Sequence, residues 1–286
     1  MIYLALSILI SSSLFVIFKL FEKFNLDTLH CIIVNYIVAC ICGYLNYHGN
    51  TKVAEIPEQP WFLGTIALGF LFISVFNVMA LTSQRNGLSV ASVAGKMSVV
   101  IPVIFGVWAY DEHLGFVKIL GILLALMAVY LTSIKESASF TKGNLLLPVL
   151  LFLGSGVIDT SIKYLETNYV PSDGIPLFSA TIFAFAAIIG LAIITFQIIK
   201  GNFRFIGKNI LGGIALGIPN YYSIYYLLKA LQTKGLESST LFTINNVAIV
   251  MLTTLFGLFI FKERLIPRNW LGIVIAIISI IIVTLA

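Results

Sequence analysis

The chain has 286 residues, of which 59% are hydrophobic and only 10% charged. A water-soluble domain carries about 25% charged residues, so this composition excludes a soluble globular fold and makes a bilayer the expected solvent. The formal net charge of +5 comes from Lys and Arg placed singly at the ends of apolar runs. With no basic stripe, the charge bears on membrane topology, and no nucleic-acid partner is expected.

Apolar runs of about 20 residues are long enough to cross the hydrocarbon core. They predict ten helical spans, at about 2–20, 29–47, 62–82, 88–110, 114–134, 145–163, 176–199, 210–231, 236–261 and 267–286. The first is apolar from Ile2 onward and has neither a basic leader nor a small-residue cleavage site, so it is expected to be a retained span rather than a signal peptide. Its Ser11-Ser12-Ser13 run suits close helix packing. Cys31, Cys40 and Cys42 share the second span, a placement that suggests neither a disulfide framework nor a zinc site. His30, His48 and His113 stand apart near span ends, and the acids form no cluster, so no catalytic group, metal or cofactor is expected.

Polar groups inside the spans are the candidates for function, because an idle charge in hydrocarbon is costly. Lys96 lies eight residues into the fourth span, next to Gly95 and ahead of Pro102, whose missing N–H leaves the Ser98 carbonyl to find another partner. A lysine there either anchors a carboxylate or phosphate, or snorkels or pairs structurally. Asp159, after Gly154-Ser155-Gly156, is the one acid well inside a span; it is expected either to pair with Lys96, to bind a cationic group or to carry a coupling proton, or else to bond a neighbouring helix. The eighth span carries Pro219-Asn220-Tyr221-Tyr222, then Tyr225-Tyr226 and Lys229. Their helical spacing predicts an aromatic face with polar tips, either a substrate wall or ordinary packing. Asn245 and Asn246 in the ninth span align with Met97 and Ser98, next to Lys96.

The chain also repeats itself. Gly87-Leu88 recurs as Gly235-Leu236, and Val99 and Ile101 recur as Val247 and Ile249. After a three-residue insertion, Glu112 matches Glu263, Leu114 matches Leu265, Gly121-Ile122 matches Gly272-Ile273 and Ala125 matches Ala276. The third spans match at Gly69 with Gly217 and Gln84 with Gln232, and the first spans share a Lys-x-x-Glu at Lys19–Glu22 and Lys163–Glu166. The expected organisation is therefore two five-helix repeats, 1–137 and 143–286. Five is odd, so the second repeat would enter the membrane inverted.

Two five-helix halves, each closing on a helix, a Glu-bearing turn and a Gly-containing helix, resemble the drug/metabolite transporter superfamily, in particular the EamA-like permeases. Lys19, Pro102, Glu112 and Glu263 carry the resemblance, which covers the whole chain; Val250 departs from it by standing where the first half has Pro102. The resemblance implies an all-α fold of ten transmembrane helices in the cell (inner) membrane, lipid as surroundings, and transport of a small-molecule metabolite. It implies cytoplasmic termini, whereas Lys and Arg counted by loop favour termini outside. No nucleotide-binding motif is present, so coupling by a proton, exchange or facilitated diffusion is expected in place of ATP. Lys96 and Asp159 fit the two charges of a zwitterion such as an amino acid, with Asn220, Tyr221, Tyr222, Tyr225, Asn245 and Asn246 as further substrate-binding candidates. A lipid-intermediate flippase, or an integral-membrane enzyme, is the alternative.

Overall fold

The computed structural model describes residues 2–49, 52–102, 104–105, 115–133, 143–171, 174–202, 204, 206–231 and 238–285. Among them are ten α-helices and no strand. They are α1 (Ile2–Lys23), α2 (Thr28–Leu45), α3 (Phe62–Arg85), α4 (Leu88–Met97), α5 (Phe116–Ser133), α6 (Gly143–Tyr169), α7 (Ile175–Ile199), α8 (Gly207–Leu231), α9 (Ser238–Phe259) and α10 (Pro267–Leu285). A 3₁₀ turn, Val53–Glu58, lies in the predicted connection between the second and third spans. The turn expected at Asp111, Glu112 and His113 and most of the hinge between the halves lie outside the described residues.

Local chemistry sets the ends of these helices. The Asp27 side chain accepts from the His30 N–H at 3.0 Å and starts α2. Asn25 closes α1 in the left-handed region (φ 52°), with the Leu26 N–H reaching back to the Phe21 carbonyl at 2.9 Å. Gly201 (φ 69°) does the same after α7. Gly87 (φ 109°) joins α3 to α4 through a backbone conformation that residues with a Cβ rarely adopt.

Two differences from the sequence expectation have physical causes. The fourth span is not one even helix: α4 gives way to a turn at Ser98 and Val99 before helix resumes at 100–102. Pro102 cannot donate to Ser98, so the Ile101 N–H takes that carbonyl at 2.9 Å in a tighter i+3 turn, and the carbonyl is not left open. At the other end of the chain's middle, α6 runs on through Tyr169, past the predicted stop at 163, because nothing breaks the helix before Pro171. The Asn168 amide donates back to the Tyr164 carbonyl at 2.7 Å within that extra turn.

Among the described residues, five helices are long and apolar enough to cross a membrane: α1, α2, α3, α6 over Leu145–Leu165, and α7. Only 28 to 44% of the apolar window of each is buried. Leu63, Phe70, Phe116, Leu211 and Phe259 point outward. This is the reverse of a helix dissolved in water, which hides its apolar stripe.

The chain divides into two compact units. One contains 1–20, 78–157 and 222–286, the other 21–77 and 158–221. In the first, α4 packs on α9 and α5 on α10. The α5–α10 pair is antiparallel: Gly272, early in α10, lies against Leu131 and Thr132 at the end of α5, and Ser279 further along donates to the Gly121 carbonyl at 2.7 Å. Asn269 donates to the Leu131 and Thr132 carbonyls, both at 3.1 Å, and so closes the end of α5 from the start of α10. In the second unit α2 packs on α7, also antiparallel, with Gly43 against Ala180 and Gly190 against Ile33. Its centre is Tyr36, fully buried among Phe72, Phe76 and Phe183, with its hydroxyl donating to the Phe72 carbonyl at 2.7 Å.

Candidate functional site

In the first unit, α1 meets a backbone carbonyl of α8 and a polar side chain of α9. The Ser7 hydroxyl lies 3.1 Å from the Ser223 carbonyl and 3.3 Å from Asn245 Oδ1, and all three residues are buried. A tyrosine group continues from this point along α8. Tyr222 stacks on Tyr226, with ring centroids 5.7 Å apart, and meets Tyr225 edge-on at 5.9 Å. Tyr3 stacks on the other side of the group, 6.2 Å from Tyr226. The Lys229 ammonium sits 5.7 Å from the Tyr225 ring centre, within the range of a cation–π contact. The Tyr222, Tyr225 and Tyr226 rings are half-buried and Tyr3 is exposed. They offer flat apolar faces and hydroxyl tips around a serine–asparagine pair, a combination that suits a ring or apolar side chain with a polar group attached.

The predicted site residues fall into two sets. Lys96, Tyr222, Tyr225, Asn245 and Asn246 belong to the first unit. Lys96 is half-buried one residue before α4 ends, and Asn246 is buried beside Asn245. Asp159, Asn220 and Tyr221 belong to the second unit. Asp159 is exposed on α6, and Tyr221 is buried. Asn220 donates to Asn35 Oδ1 at 3.1 Å, both residues being buried. This bond exists because Gly217, one turn earlier on α8, lets α2 come so close that an added Cβ would sit 2.8 Å from the Asn35 carbonyl oxygen. Asn220 therefore helps to hold α8 on α2.

Sequence reasoning missed Tyr3, Ser7 and Asn35. Asn35 had a readable signal, as a lone amide in the otherwise apolar middle of α2. Ser7 and Tyr3 had none, since their importance comes only from partners more than 200 residues away.

A second polar group of the first unit forms at the junction of α3 and α4. Glu263, in the turn between α9 and α10, accepts from the Leu88 N–H through Oε1 at 2.9 Å and receives the Ser89 N–H as well. It thus caps the N-terminus of α4, with the end of that helix's dipole in its favour. Gly257 makes room for it: a Cβ there would lie 2.5 Å from Glu263 Oε2. Lys19, at the end of α1, donates to the Gln84 carbonyl at 2.6 Å, and the Gln84 amide returns a bond to the Phe18 carbonyl at 3.0 Å. Burial pushes the Glu263 carboxyl above its ordinary value of 4.5, against the opposing pull of the Leu88 and Ser89 N–H groups and the Lys19 charge.

No known family model matches the chain. A protein of Haemophilus influenzae described as uncharacterized is 28% identical over 285 residues, covering 96% of this chain and 94% of its own length. A crystal structure of another protein aligns with 99% of this chain and 96% of its own at a TM-score of 0.62 and 14% identity. That likeness is one of fold.

Proposed function

We propose that the chain is a multi-pass membrane transporter of the EamA-like type, moving a small amphipathic metabolite by alternating access between two inverted five-helix halves. The observation that carries this reading is a reciprocal contact. Gly69 on α3 packs against Phe185 and Ala186 of α7, and its sequence match, Gly217 on α8, packs against Asn35 and Val38 of α2. Val38 and Ala186 stand at the same sequence separation as the two glycines. Each half thus lends its third helix to the second helix of the other. The last helices exchange in the same manner, Gly272 of α10 lying against Leu131 and Thr132 of α5 and Gly121 of α5 lying under Ser279 of α10. Exchange of equivalent contacts between antiparallel partners is what an inverted duplication produces, and such duplications serve carriers with two alternating gates.

The outward-facing apolar side chains support a bilayer as the surroundings of these helices, and the resemblance to EamA-like permeases gives the cell (inner) membrane as its place in this reading. The Tyr3, Tyr222, Tyr225 and Tyr226 group with Ser7 and Asn245 is the part of the first unit suited to holding a solute. Lys96 in the same unit supplies a charge for an acidic group on that solute, such as the carboxylate of an amino acid. The test is counterflow into proteoliposomes preloaded with amino acids, nucleobases or sugars. The expected result is accumulation of one amphipathic class well above protein-free vesicles. Equal leakage for every class in the two vesicle types would contradict a transport function.

A further inference from the structure

Three contacts lay α1 along the last turns of α8: Leu4 packs on Ala230, Tyr3 stacks on Tyr226, and the Ser7 hydroxyl lies 3.1 Å from the Ser223 carbonyl. Tyr3 and Ser7 stand four residues apart on one face of α1. The Ser7–Asn245 contact is therefore about one helical turn, about 5.4 Å, from the stacked rings.

Hydrogen-bond accounting fixes how the Asn245 amide is turned. Ser7 has one proton and two neighbours, the Ser223 carbonyl at 3.1 Å and the near end of the amide at 3.3 Å. If that end were oxygen, one of the two contacts would set lone pair against lone pair. The two ends of an asparagine amide have the same shape. With nitrogen toward Ser7, a continuous chain forms: the Asn245 N–H donates to the Ser7 hydroxyl, which donates to the Ser223 carbonyl. Two hydrogen bonds replace one, so this orientation is favoured. The amide oxygen then faces away from Ser7. Asn245 is 2% exposed, and its side chain has no further hydrogen bond among the described residues. A buried acceptor left unpaired is costly, so this oxygen calls for a donor that the unit itself does not supply.

Charge indicates which donor. Among the described residues of the first unit the one acid is Glu263, which is engaged by the Leu88 and Ser89 N–H groups. It lies beyond the far end of α9, about 20 Å along the helix axis from Asn245. A cation near Asn245 must therefore be held by neutral oxygens and ring faces. The tyrosine group already holds the Lys229 ammonium in this way, 5.7 Å from the Tyr225 ring centre.

We propose that Asn245 is the specificity-determining residue for an amino group on the solute. Its amide oxygen accepts from an ammonium lying against the tyrosine rings, and Ser7 is the positioning residue that keeps the amide turned that way. The solute is then an α-amino acid whose ring or apolar side chain runs along the tyrosines, with its carboxylate left for Lys96. This assignment rests on the transport reading for its purpose, but the binding itself can be measured without transport.

The experiment is equilibrium dialysis of the full chain in lipid nanodiscs against labelled L-phenylalanine. The competitor is 3-phenylpropionate, the same molecule without its ammonium. The wild type should bind phenylalanine about tenfold or more tightly than 3-phenylpropionate, the effect of one hydrogen bond to a charged group. Asn245→Leu should bring that ratio close to one. Asn245→Asp keeps an oxygen at the site and adds a charge, so it should widen the ratio. Ser7→Ala lets the amide turn either way and should narrow it, with 3-phenylpropionate still bound. A merely structural role for Ser7 and Asn245 would weaken both probes alike and leave the ratio unchanged, which overturns the proposal. No binding of phenylalanine by the wild type, or no preference for it, overturns it too. If Asn245→Leu does not fold, a ratio that fails to widen in Asn245→Asp is enough to refute it. The expected ratios in a protein that gives no counterflow would refute the transport reading and leave the site standing. Counterflow of phenylalanine with the wild-type ratio kept in Asn245→Leu would do the reverse.

Discussion

Gly217→Ala is the sharpest single perturbation of this fold. The new methyl would lie 2.7 Å from Val38 Cβ, 2.8 Å from the Asn35 carbonyl oxygen and 3.0 Å from Val38 Cγ1. The Val38 side chain has no freedom at its branched Cβ, and the carbonyl belongs to the backbone of α2. The helices must therefore separate. Overpacking of this kind costs about 1–3 kcal/mol. Separation also strains the Asn220–Asn35 bond, and a buried amide left unpaired costs about 1–3 kcal/mol more. The two terms share one movement and do not add fully, so a loss of about 2–4 kcal/mol is expected. Gly69→Ala meets Phe185 Cβ at 2.7 Å and the Ala186 nitrogen at 2.9 Å, so the matched position should cost a similar amount without the amide component. Gly95→Ala is the control, because nothing lies within 4 Å of its added methyl; it should be neutral or stabilising by up to about 1 kcal/mol through helix propensity. The assay is the temperature at which half of the detergent-purified protein remains monodisperse. If Gly217→Ala matches Gly95→Ala in that assay, the close approach of α8 to α2 is not as described.

Further outcomes follow from the same contacts. Ser7→Ala should destabilise by about 1 kcal/mol, and Ser7→Ala with Asn245→Leu by less than the sum of the single changes, as read by a thermal double-mutant cycle. Because the Glu263 carboxyl is raised in the folded chain, its contribution to stability is fully present below 4.5 and is lost as pH rises through the folded value. The thermal midpoint of the wild type should therefore fall relative to Glu263→Gln over that rise, and a gain instead would reverse the sign of the shift. Lys96→Met and Asp159→Asn should each abolish transport of a zwitterion while leaving the protein in the membrane; wild-type rates in both would show that transport needs neither charge. Reporter fusions before Met1 and after Ala286 should land on the same side, as ten crossings require.

The helices were legible because apolar run length and turn residues are local signals. Gly87 and Gly201 fall at the expected span ends, whereas the end of α6 before Pro171 was expected at 163 and came six residues later. The proposed duplication rests on matches such as Gly69 with Gly217 and Gly121 with Gly272, and the structure adds the contacts that these glycines make. The break in the fourth span was half-legible: Pro102 announced a missing donor, but not that Ile101 would take the Ser98 carbonyl. Glu263 was readable as a turn or capping residue. Its partner was not, since it caps the start of α4 rather than its own helix, and no local pattern reports that pairing. The site was least legible. Tyr222 and Tyr226 stack as their i,i+4 spacing on α8 predicts, whereas Ser7 and Tyr3 join them from the opposite end of the chain.

The most direct test of alternating access is two-sided labelling at the tyrosine group. With the three native cysteines replaced, Tyr222→Cys in sealed, oriented vesicles is treated with a membrane-impermeant thiol reagent from the inside or from the outside. The account predicts modification from both sides, at different rates, with protection by the transported solute in each case. Modification from one side alone under every condition, or from neither, would contradict it.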